Sequence, residues 1–260
     1  MVNVEPSFLT LPPRVDKPRR RGITHVLDKG LPVSDVESLL GVVGRYVDVW
    51  KLGWGTAYLD PGIDAKLALL RRHGVLACTG GTLLEVAVEQ RMVDEFLDWV
   101  GAAGFPCVEV SCGVITLTTT ERADLVGRAA ERFIVLSEIG AKDPRAPVSA
   151  EVWATQAAAA LQAGATWVVT EGRESGTVGV YEPDGRVREH VVEAVVGAVG
   201  ADNLVFEAPR KDQQAWFIKR FGANVNLANI APAEALGLEA LRLGLRADTF
   251  DLSTPRIAAP

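Results

Sequence analysis

The sequence predicts a (β/α)8 TIM barrel over residues 19–260, preceded by a proline-rich N-terminal arm over residues 1–18. Eight short apolar runs, counted from Ile23, alternate with stretches of helical character. Strict alternation of strands and helices is typical of a parallel sheet. The eight units occupy about 230 residues, and a barrel of this class typically needs about 250. The fold class therefore follows from the order, the number and the total length of the elements.

A doubly wound open sheet is the alternative arrangement for alternating strands and helices. Such a sheet usually has fewer strands and carries a complete GxGxxG fingerprint directly after the first one. In this chain Gly53 and Gly55 supply only the first half of that fingerprint, and they follow the second predicted strand. These differences favour the closed barrel.

The predicted strands are short apolar runs, most of which end in a polar or charged residue. They cover residues 22–30, 46–52, 75–79, 107–111, 133–138, 166–171, 204–207 and 224–229. Helices are predicted over residues 34–43, 63–73, 83–102, 119–131, 150–163, 187–199 and 215–221, with a loop at 142–144. Ser34 and Glu37 have the spacing of a capping box, and Gly74, Gly104 and Gly222 follow helices as stop signals.

Composition and charge exclude several classes of function. The formal net charge of −6 argues against nucleic acid or an anionic membrane as the main partner, and Arg19–Arg21 are expected to be solvated. No stretch approaches the roughly 20 apolar residues of a membrane span, and the arm lacks an apolar segment of signal-peptide type. Three cysteines without a CxxC pair argue against a zinc site and favour a reducing compartment. We expect a cytoplasmic protein, and we also expect a homo-oligomer.

Acidic residues end several of the predicted strands, where a barrel places its active site. Four consecutive strands end in Glu109, Glu138, Glu171 and Glu207, and Asp28 ends the first strand. Carboxylates that converge raise one another's pKa values unless a divalent metal, Lys or Arg partners, or a shared proton relieves the repulsion. An oxygen-rich ligand set with few histidines suits Mg²⁺. The sequence thus predicts a magnesium site, while simple pairing of the acids with basic side chains stays open.

Basic and polar side chains are predicted at the same end of the barrel. They comprise Lys29, Lys51, Arg173, Arg210 and Lys211, together with Ser111, Asn226 and Asn229. Acids mixed with bases suit a small anionic substrate that is held partly through a metal and partly through Arg and Lys. Barrels often bind phosphate in the loops after strands seven and eight, which here are residues 208–211 and 228–232. The alternative is that Arg210 and Lys211 are only solvated loop charges.

Seven motifs make the chain resemble a known enzyme family between about residues 22 and 250. The motifs are VLDKG at 26–30, KLGWGT at 51–56, GGTL at 80–83, EGRESG at 171–176, EAP at 207–209, QQAWFI at 213–218 and NVNL at 224–227. In this order they resemble the phosphosulfolactate synthase family. The resemblance implies a TIM barrel with enolase-like chemistry, in which Mg²⁺ supports the addition of sulfite to phosphoenolpyruvate. The implied product is (2R)-O-phospho-3-sulfolactate, a precursor of coenzyme M.

The resemblance implies roles for the strand-end residues. Lys51 is expected to protonate carbon 2 of the substrate, with Lys29 and Arg173 as further catalytic residues. Arg210 and Lys211 are expected to hold phosphate or sulfite. The remaining substrate contacts are expected from Ser111, Asn226, Ala228 and Asn229, and the metal ligands from Asp28, Glu109, Glu138, Glu171 and Glu207.

Four positions depart from the pattern of the family. Cys112 stands where asparagine is usual, Gly172 where alanine is usual, and Ala228 and Ala247 where glycines are common. A methyl group at Ala228 is expected to crowd an approaching phosphate. Two alternatives therefore remain: a related barrel lyase or synthase with a different nucleophile or enol substrate, and a non-catalytic, stress-associated homologue.

Overall fold

The computed structural model describes residues 8–140 and 149–253, and within them eight parallel strands form a closed barrel. Each strand pairs with the next one in sequence, and β8 closes the barrel against β1. The strands are β1 (Thr24–Asp28), β2 (Val49–Leu52), β3 (Leu76–Thr79), β4 (Cys107–Val110), β5 (Ile134–Ile139), β6 (Trp167–Thr170), β7 (Leu204–Glu207) and β8 (Leu227–Ile230). The prediction of a (β/α)8 barrel is confirmed.

Helices surround the barrel and connect consecutive strands. They are α1 (Val33–Val43), α2 (Thr56–Leu59), α3 (Ile63–Arg72), α4 (Gly81–Glu89), α5 (Val93–Ala103), α6 (Thr119–Ala130), α7 (Ala150–Gln162), α8 (Glu189–Val199), α9 (Lys211–Phe221) and α10 (Ala235–Arg242). As predicted, Gly104 and Gly222 end helices with positive φ angles of 86° and 90°.

The chain differs from the predicted elements at three points, each with a local cause. The helix predicted over 83–102 is two helices, because Arg91 adopts a left-handed φ of 59° after α4. Pro32, instead of Ser34, is the N-cap of α1, and the Ser34 hydroxyl bonds to Asp35. The capping box occurs at α6, where the Thr118 side chain accepts from the backbone N–H of Glu121.

The barrel interior is filled by a layer of inward side chains. This inner cluster comprises buried side chains, with Trp167 the most exposed of those named at 6%: Val49, Cys78, Cys107, Leu136, Trp167, Val169, Val205 and Ala228. Because strand side chains alternate between faces, the residue two positions beyond the inner cluster also points inward on β2, β4, β5, β6 and β7, but nearer the C-terminal end. This alternation carries Lys51, Glu109, Glu138, Glu171 and Glu207 into the mouth above the inner cluster.

The described part of the N-terminal arm packs across the opposite end of the barrel. The Arg14 guanidinium lies 2.8 Å from Glu239 and 2.7 Å from the side-chain oxygen of Asn224. Arg19 pairs with Asp48 at 3.1 Å, and both side chains are 6% exposed. The expectation that Arg19 is solvated is therefore wrong. Residues 1–7 of the arm and the predicted loop at 142–144 lie outside the described residues.

Asn226 lies at this same end, opposite the mouth, because β8 begins at Leu227 and not at residue 224 as predicted. The Asn226 side-chain oxygen accepts from the Ile23 N–H at 2.9 Å, and its amide donates to Leu204 O at 2.8 Å. The prediction that Asn226 contacts substrate is wrong. Asn226 instead joins the starts of β1, β7 and β8.

Replacing Asn226 with alanine should lower the free energy of unfolding by about 1–3 kcal/mol, since it leaves buried backbone groups without their partner. Urea unfolding would measure the loss. The control is Asn203→Ala, which removes an exposed side chain with one bond to Val199 O and should change stability by less than about 0.5 kcal/mol. Unchanged stability combined with a large rise in KM would return Asn226 to the substrate site.

Candidate active site

A cavity of about 580 Å³ opens at the C-terminal ends of the strands. Leu27, Trp54 and Val114 supply apolar wall. The charged lining residues are Lys51, Glu109, Glu138, Glu171, Arg173, Glu174 and Glu207. Among the described residues that line the cavity, five carboxylates face two cationic side chains, a formal excess of three negative charges. The cavity is therefore small, polar and short of positive charge.

Lys51 forms the floor of the cavity and is 5% exposed. Its Nζ lies 2.8 Å from Glu109 Oε2 and 3.5 Å from Glu207 Oε1. Burial alone would lower the pKa of Lys51, but Glu109, Glu207 and Glu138 together outweigh it and raise the pKa. Lys51 is accordingly held as an ammonium group at neutral pH.

Backbone N–H groups hold three of the carboxylates in place. Gly81 N donates to Glu109 Oε1 at 3.0 Å, and Gly172 N donates to Glu207 Oε2 at 2.8 Å. Arg173 N donates to Glu171 Oε1 at 2.7 Å. Each bond fixes the direction of a carboxylate before any ligand arrives, because a donor on the backbone cannot rotate away.

Gly172, one of the four departures from the family pattern, has a local explanation. A Cβ at this position would lie 2.7 Å from Tyr181 Cε2 and 3.0 Å from Glu207 O. The Tyr181 hydroxyl donates to Glu207 O, so its ring is fixed against the end of β7. Glycine at 172 leaves the ring this space, and alanine would require the tyrosine to shift.

The environment of Glu207 favours its protonated form. Burial raises the pKa of Glu207 to about 7; Lys51 acts in the opposite direction, and Glu138 and Glu109 add to the rise. Below Lys51, burial together with the lysine charge lowers the pKa of His25 to about 3. His25 is thus neutral, and its Nδ1 accepts from Asn229 N at 3.4 Å.

Of the residues predicted for the site, Lys51, Glu109, Glu138, Glu171, Glu207, Arg173 and Asn229 line the cavity. Lys29 lies at its rim, where it pairs with Glu174 and sits 6.0 Å from the centroid of the Trp54 ring. Glu174 was not predicted. The alternation of side chains along a strand cannot place Glu174, because this residue follows β6 in an irregular loop.

Asp28 points away from the mouth, so the prediction that it joins the metal ligands is wrong. Leu27 faces the cavity, and alternation turns Asp28 outward toward the helices. The Asp28 carboxylate accepts from Trp50 Nε1 at 3.0 Å and lies 3.2 Å from Nζ of the buried Lys66. It also accepts from Gly30 N at 2.8 Å, and so holds the turn that carries Lys29.

Arg210, Lys211, Ala228 and Ser111 do not line the cavity, contrary to expectation. Lys211 Nζ pairs with Asp248 at 2.9 Å, and the Arg210 guanidinium lies beside Gly185. Ala228 is fully buried in the inner cluster, so its methyl group packs beneath the mouth and does not meet a ligand there. Sequence spacing could not show which way the loop after β7 turns.

Ser111 belongs to a buried hydrogen-bond network centred on Glu85 of α4, a residue that was not predicted to have a role at the site. The Ser111 hydroxyl donates to Glu85, and the Glu85 carboxylate also accepts from Val114 N at 2.6 Å and Ile115 N at 3.0 Å. Glu85 therefore shapes the loop that places Val114 at the cavity. An acid inside an amphipathic helix gave no signal of this role.

The described residues contain no group of three or more His, Cys, Asp and Glu side chains arranged to hold a metal ion. The reason is visible at Lys51, whose ammonium group stands between Glu109 and Glu207. Mg²⁺ normally takes one or two carboxylates and completes its shell with water and substrate oxygens. Glu138 and Glu171, which line the cavity, have donor chemistry that fits this mode of binding.

The titration of Glu207 should appear in the stability of the metal-free protein. Its folded pKa of about 7 exceeds the ordinary 4.5, so its stabilising contribution is complete below about pH 4.5 and is lost as the pH rises through about 7. Glu207→Gln should therefore gain thermal stability relative to the parent as the pH rises from about 4.5 to about 7, and should keep that gain above pH 7. Exposed Glu193→Gln is the control; parallel Tm–pH curves for parent and Glu207→Gln would contradict the assignment.

Comparison with known proteins agrees with the fold and identifies the family. The family model for (2R)-phospho-3-sulfolactate synthase (ComA) matches residues 12–248. Among solved structures, 3-hexulose-6-phosphate synthase superposes with a TM-score of 0.54 at 16% identity, covering 84% of this chain and 99% of that one. At this identity the likeness concerns the barrel alone.

Three curated relatives cover most of the chain. Phosphosulfolactate synthase of Bacillus subtilis is 39% identical over 94% of this chain and 98% of its own length. That of Methanocaldococcus jannaschii is 41% identical over 89% of this chain and 94% of its own. Protein HEAT-STRESS-ASSOCIATED 32 of Arabidopsis thaliana is 26% identical over 91% of both. With the family match, these identities show that the chain belongs to the phosphosulfolactate synthase family of enzymes.

Proposed function

We propose that the chain catalyses the Mg²⁺-dependent addition of sulfite to phosphoenolpyruvate, giving (2R)-O-phospho-3-sulfolactate. The observation that carries this proposal is the buried ammonium of Lys51, held between Glu109 and Glu207 at the floor of a cavity of about 580 Å³. A cavity of this size suits substrates of a few heavy atoms. The Lys51 ammonium, which is fixed by its two carboxylate partners, can donate a proton at one defined position. Membership of the phosphosulfolactate synthase family supports this choice of reaction.

The charge of the cavity supports a requirement for Mg²⁺. Two anionic substrates would enter a space whose lining already carries an excess of negative charge. A divalent cation would offset both sets of charges, and Glu138 and Glu171 are the side chains that would hold it. When bound, the ion would stabilise the negative charge that gathers on the substrate carboxylate. Glu109 and Glu207 are assigned to Lys51 instead.

The side chains of the site account for the proton that the reaction consumes. The sulfur lone pair of sulfite forms the carbon–sulfur bond at carbon 3, and the electrons of the double bond move toward the carboxylate as an aci-carboxylate. Lys51 then donates a proton from Nζ to carbon 2 and is reprotonated from solvent. Since the surrounding acids raise the pKa of Lys51, it serves as an acid and not as a base.

Cationic groups nearer the opening would receive the anions. Arg173 lines the cavity, and Lys29 stands at the rim in an exposed pair with Glu174 that an anionic substrate can displace. Asn229 offers a buried side-chain oxygen that has no hydrogen-bond partner among the residues that the structure describes. We assign Arg173 to substrate binding, and Lys29 to attraction of the substrate.

The proposal extends to location and assembly. No helix in the described parts of the chain is both long and apolar enough to cross a membrane. Cys78, Cys107 and Cys112 form no disulfide among the described residues, which supports a reducing cytoplasm. A homo-oligomer remains a prediction, which sedimentation of the purified protein would test.

Incubating the purified protein with phosphoenolpyruvate, sulfite and Mg²⁺ should consume the enol absorbance. Omitting sulfite, replacing it with sulfate, or adding EDTA should each abolish the signal. Loss of absorbance with another nucleophile, but not with sulfite, would support a related lyase or synthase instead. Stable absorbance under all of these conditions would favour a non-catalytic role.

Replacing Lys51 with alanine should lower kcat by about 100- to 10,000-fold, the range for loss of a positioned general acid. The fold should persist, because the apolar side chains that fill the barrel interior do not include Lys51, and circular dichroism would check this. Exposed Lys219→Ala serves as the matched control and should retain parental turnover. Near-normal turnover by Lys51→Ala would remove the lysine from the mechanism.

A further inference from the structure

The loop after β6 carries three residues of the cavity, Arg173, Glu174 and Ser175, yet it has no helix or long strand to fix its shape. Residues 171–188 fold back on themselves instead. Val180 N donates to Glu171 O at 3.0 Å, and an isolated bridge joins residues 181 and 187. Arg173 itself has a left-handed φ of 53°, a conformation that surrounding contacts must maintain.

Gln213 lies beneath this loop, in the first turn of α9, and is 1% exposed. Its Nε2 donates to Gly176 O at 2.8 Å and to Gly185 O at 3.0 Å. Its Oε1 accepts from Arg210 N at 3.3 Å. Both hydrogens of the Gln213 amide nitrogen therefore have carbonyl partners. Because the Arg210 N–H needs an acceptor, the side-chain oxygen of Gln213 must face it, and these bonds together fix the orientation of the carboxamide.

The two carbonyls that Gln213 binds belong to opposite ends of the loop. Gly176 adjoins the cavity residues, and its N–H donates to Arg173 O at 3.4 Å, which closes the turn that begins at the arginine. Gly185 lies nine positions further along, on the returning limb. A single buried amide thus ties the two limbs together and ties both of them to α9.

Both contact points require glycine. Gly176 and Gly185 have positive φ angles of 61° and 91°. A Cβ on Gly176 would lie 2.5 Å from Gln213 Oε1, and one on Gly185 would lie 2.5 Å from the Arg210 guanidinium. The backbone approaches the amide closely because neither residue has a side chain.

We propose that Gln213 is a positioning residue that orders the loop after β6 and thereby keeps Arg173 at the cavity. The inference rests on the proposed function for the role of Arg173, but not for the ordering of the loop. Gln213 itself does not line the mouth. Without its amide, two buried carbonyls would lose a donor, and the turn at Arg173 would open more often.

The test uses Gln213→Met, which keeps the length of the side chain but removes both amide donors, and Gln213→Glu, which keeps an acceptor for Arg210 N. Hydrogen exchange of the full chain without substrate should show faster exchange confined to residues 173–188. Gln214→Met is the matched control: within the described residues this adjacent buried glutamine donates to Ala208 O, at 3.0 Å, and not to the loop, so its replacement should not alter exchange there.

The kinetic readout is a split between KM and kcat. Gln213→Met should raise KM for phosphoenolpyruvate about tenfold, roughly the value of one lost hydrogen bond, with a much smaller change in kcat. If Gln213 acts through Arg173, then Arg173→Ala should raise KM less in the Gln213→Met background than in the parent, because coupled residues are not additive.

Unchanged exchange in the loop, full additivity with Arg173→Ala, or global unfolding of both Gln213 variants would each overturn the inference. Unfolding counts against it because a residue needed by the whole barrel is not specific to this loop. Absence of turnover in the parent protein would overturn the proposed function alone, since the exchange measurement needs no substrate.

Discussion

The arrangement of the site depends on one electrostatic balance, in which the buried Lys51 ammonium is held among the carboxylates of Glu109, Glu138 and Glu207. A lysine in a buried position would ordinarily lose its proton, and acids this close would ordinarily gain one. In this group the surrounding acids raise the pKa of Lys51, so that the lysine keeps its proton, and the pKa of Glu207 also stays raised, to about 7. Backbone donors then fix the carboxylates, so the balance has a defined geometry. Removing Glu109 would leave the Lys51 ammonium buried without its nearest counter-charge, which costs more than removing the two residues together.

The fold and the floor of the site could be predicted because both follow from short-range periodicity. Eight apolar runs separated by helices admit few topologies, and side chains two apart on a strand share a face. Position at the ends of the predicted strands, together with this rule on the fourth, sixth and seventh strands, located Lys51 and the four glutamates, all of which line the cavity. The same rule, applied strictly to the first strand, would have turned Asp28 outward, since Leu27 faces the mouth.

The errors occur where the structure is determined by contacts distant in sequence. Asn226 was assigned to the mouth because the eighth strand was begun three residues early, and its position depends on pairing with β1. Arg210 and Lys211 follow β7 at the usual position for a phosphate site, but an aspartate 37 residues after Lys211 pairs with it. Glu85 and Gln213 act from helices, where an inward polar residue resembles a surface one in sequence.

The N-terminal arm packs on the barrel and is not a separate appendage. The sequence suggested an appendage ending at residue 18, but Arg14 reaches Glu239 of α10 and Asn224 just before β8. These contacts lie across the seam where the last strand meets the first, which is the single junction in the cylinder that no short connection spans. The arm therefore adds contacts across this seam to the pairing of β1 with β8, and a barrel cut at residue 19 would keep that pairing but lose the contacts of Arg14 with Gly22, Asn224 and Glu239.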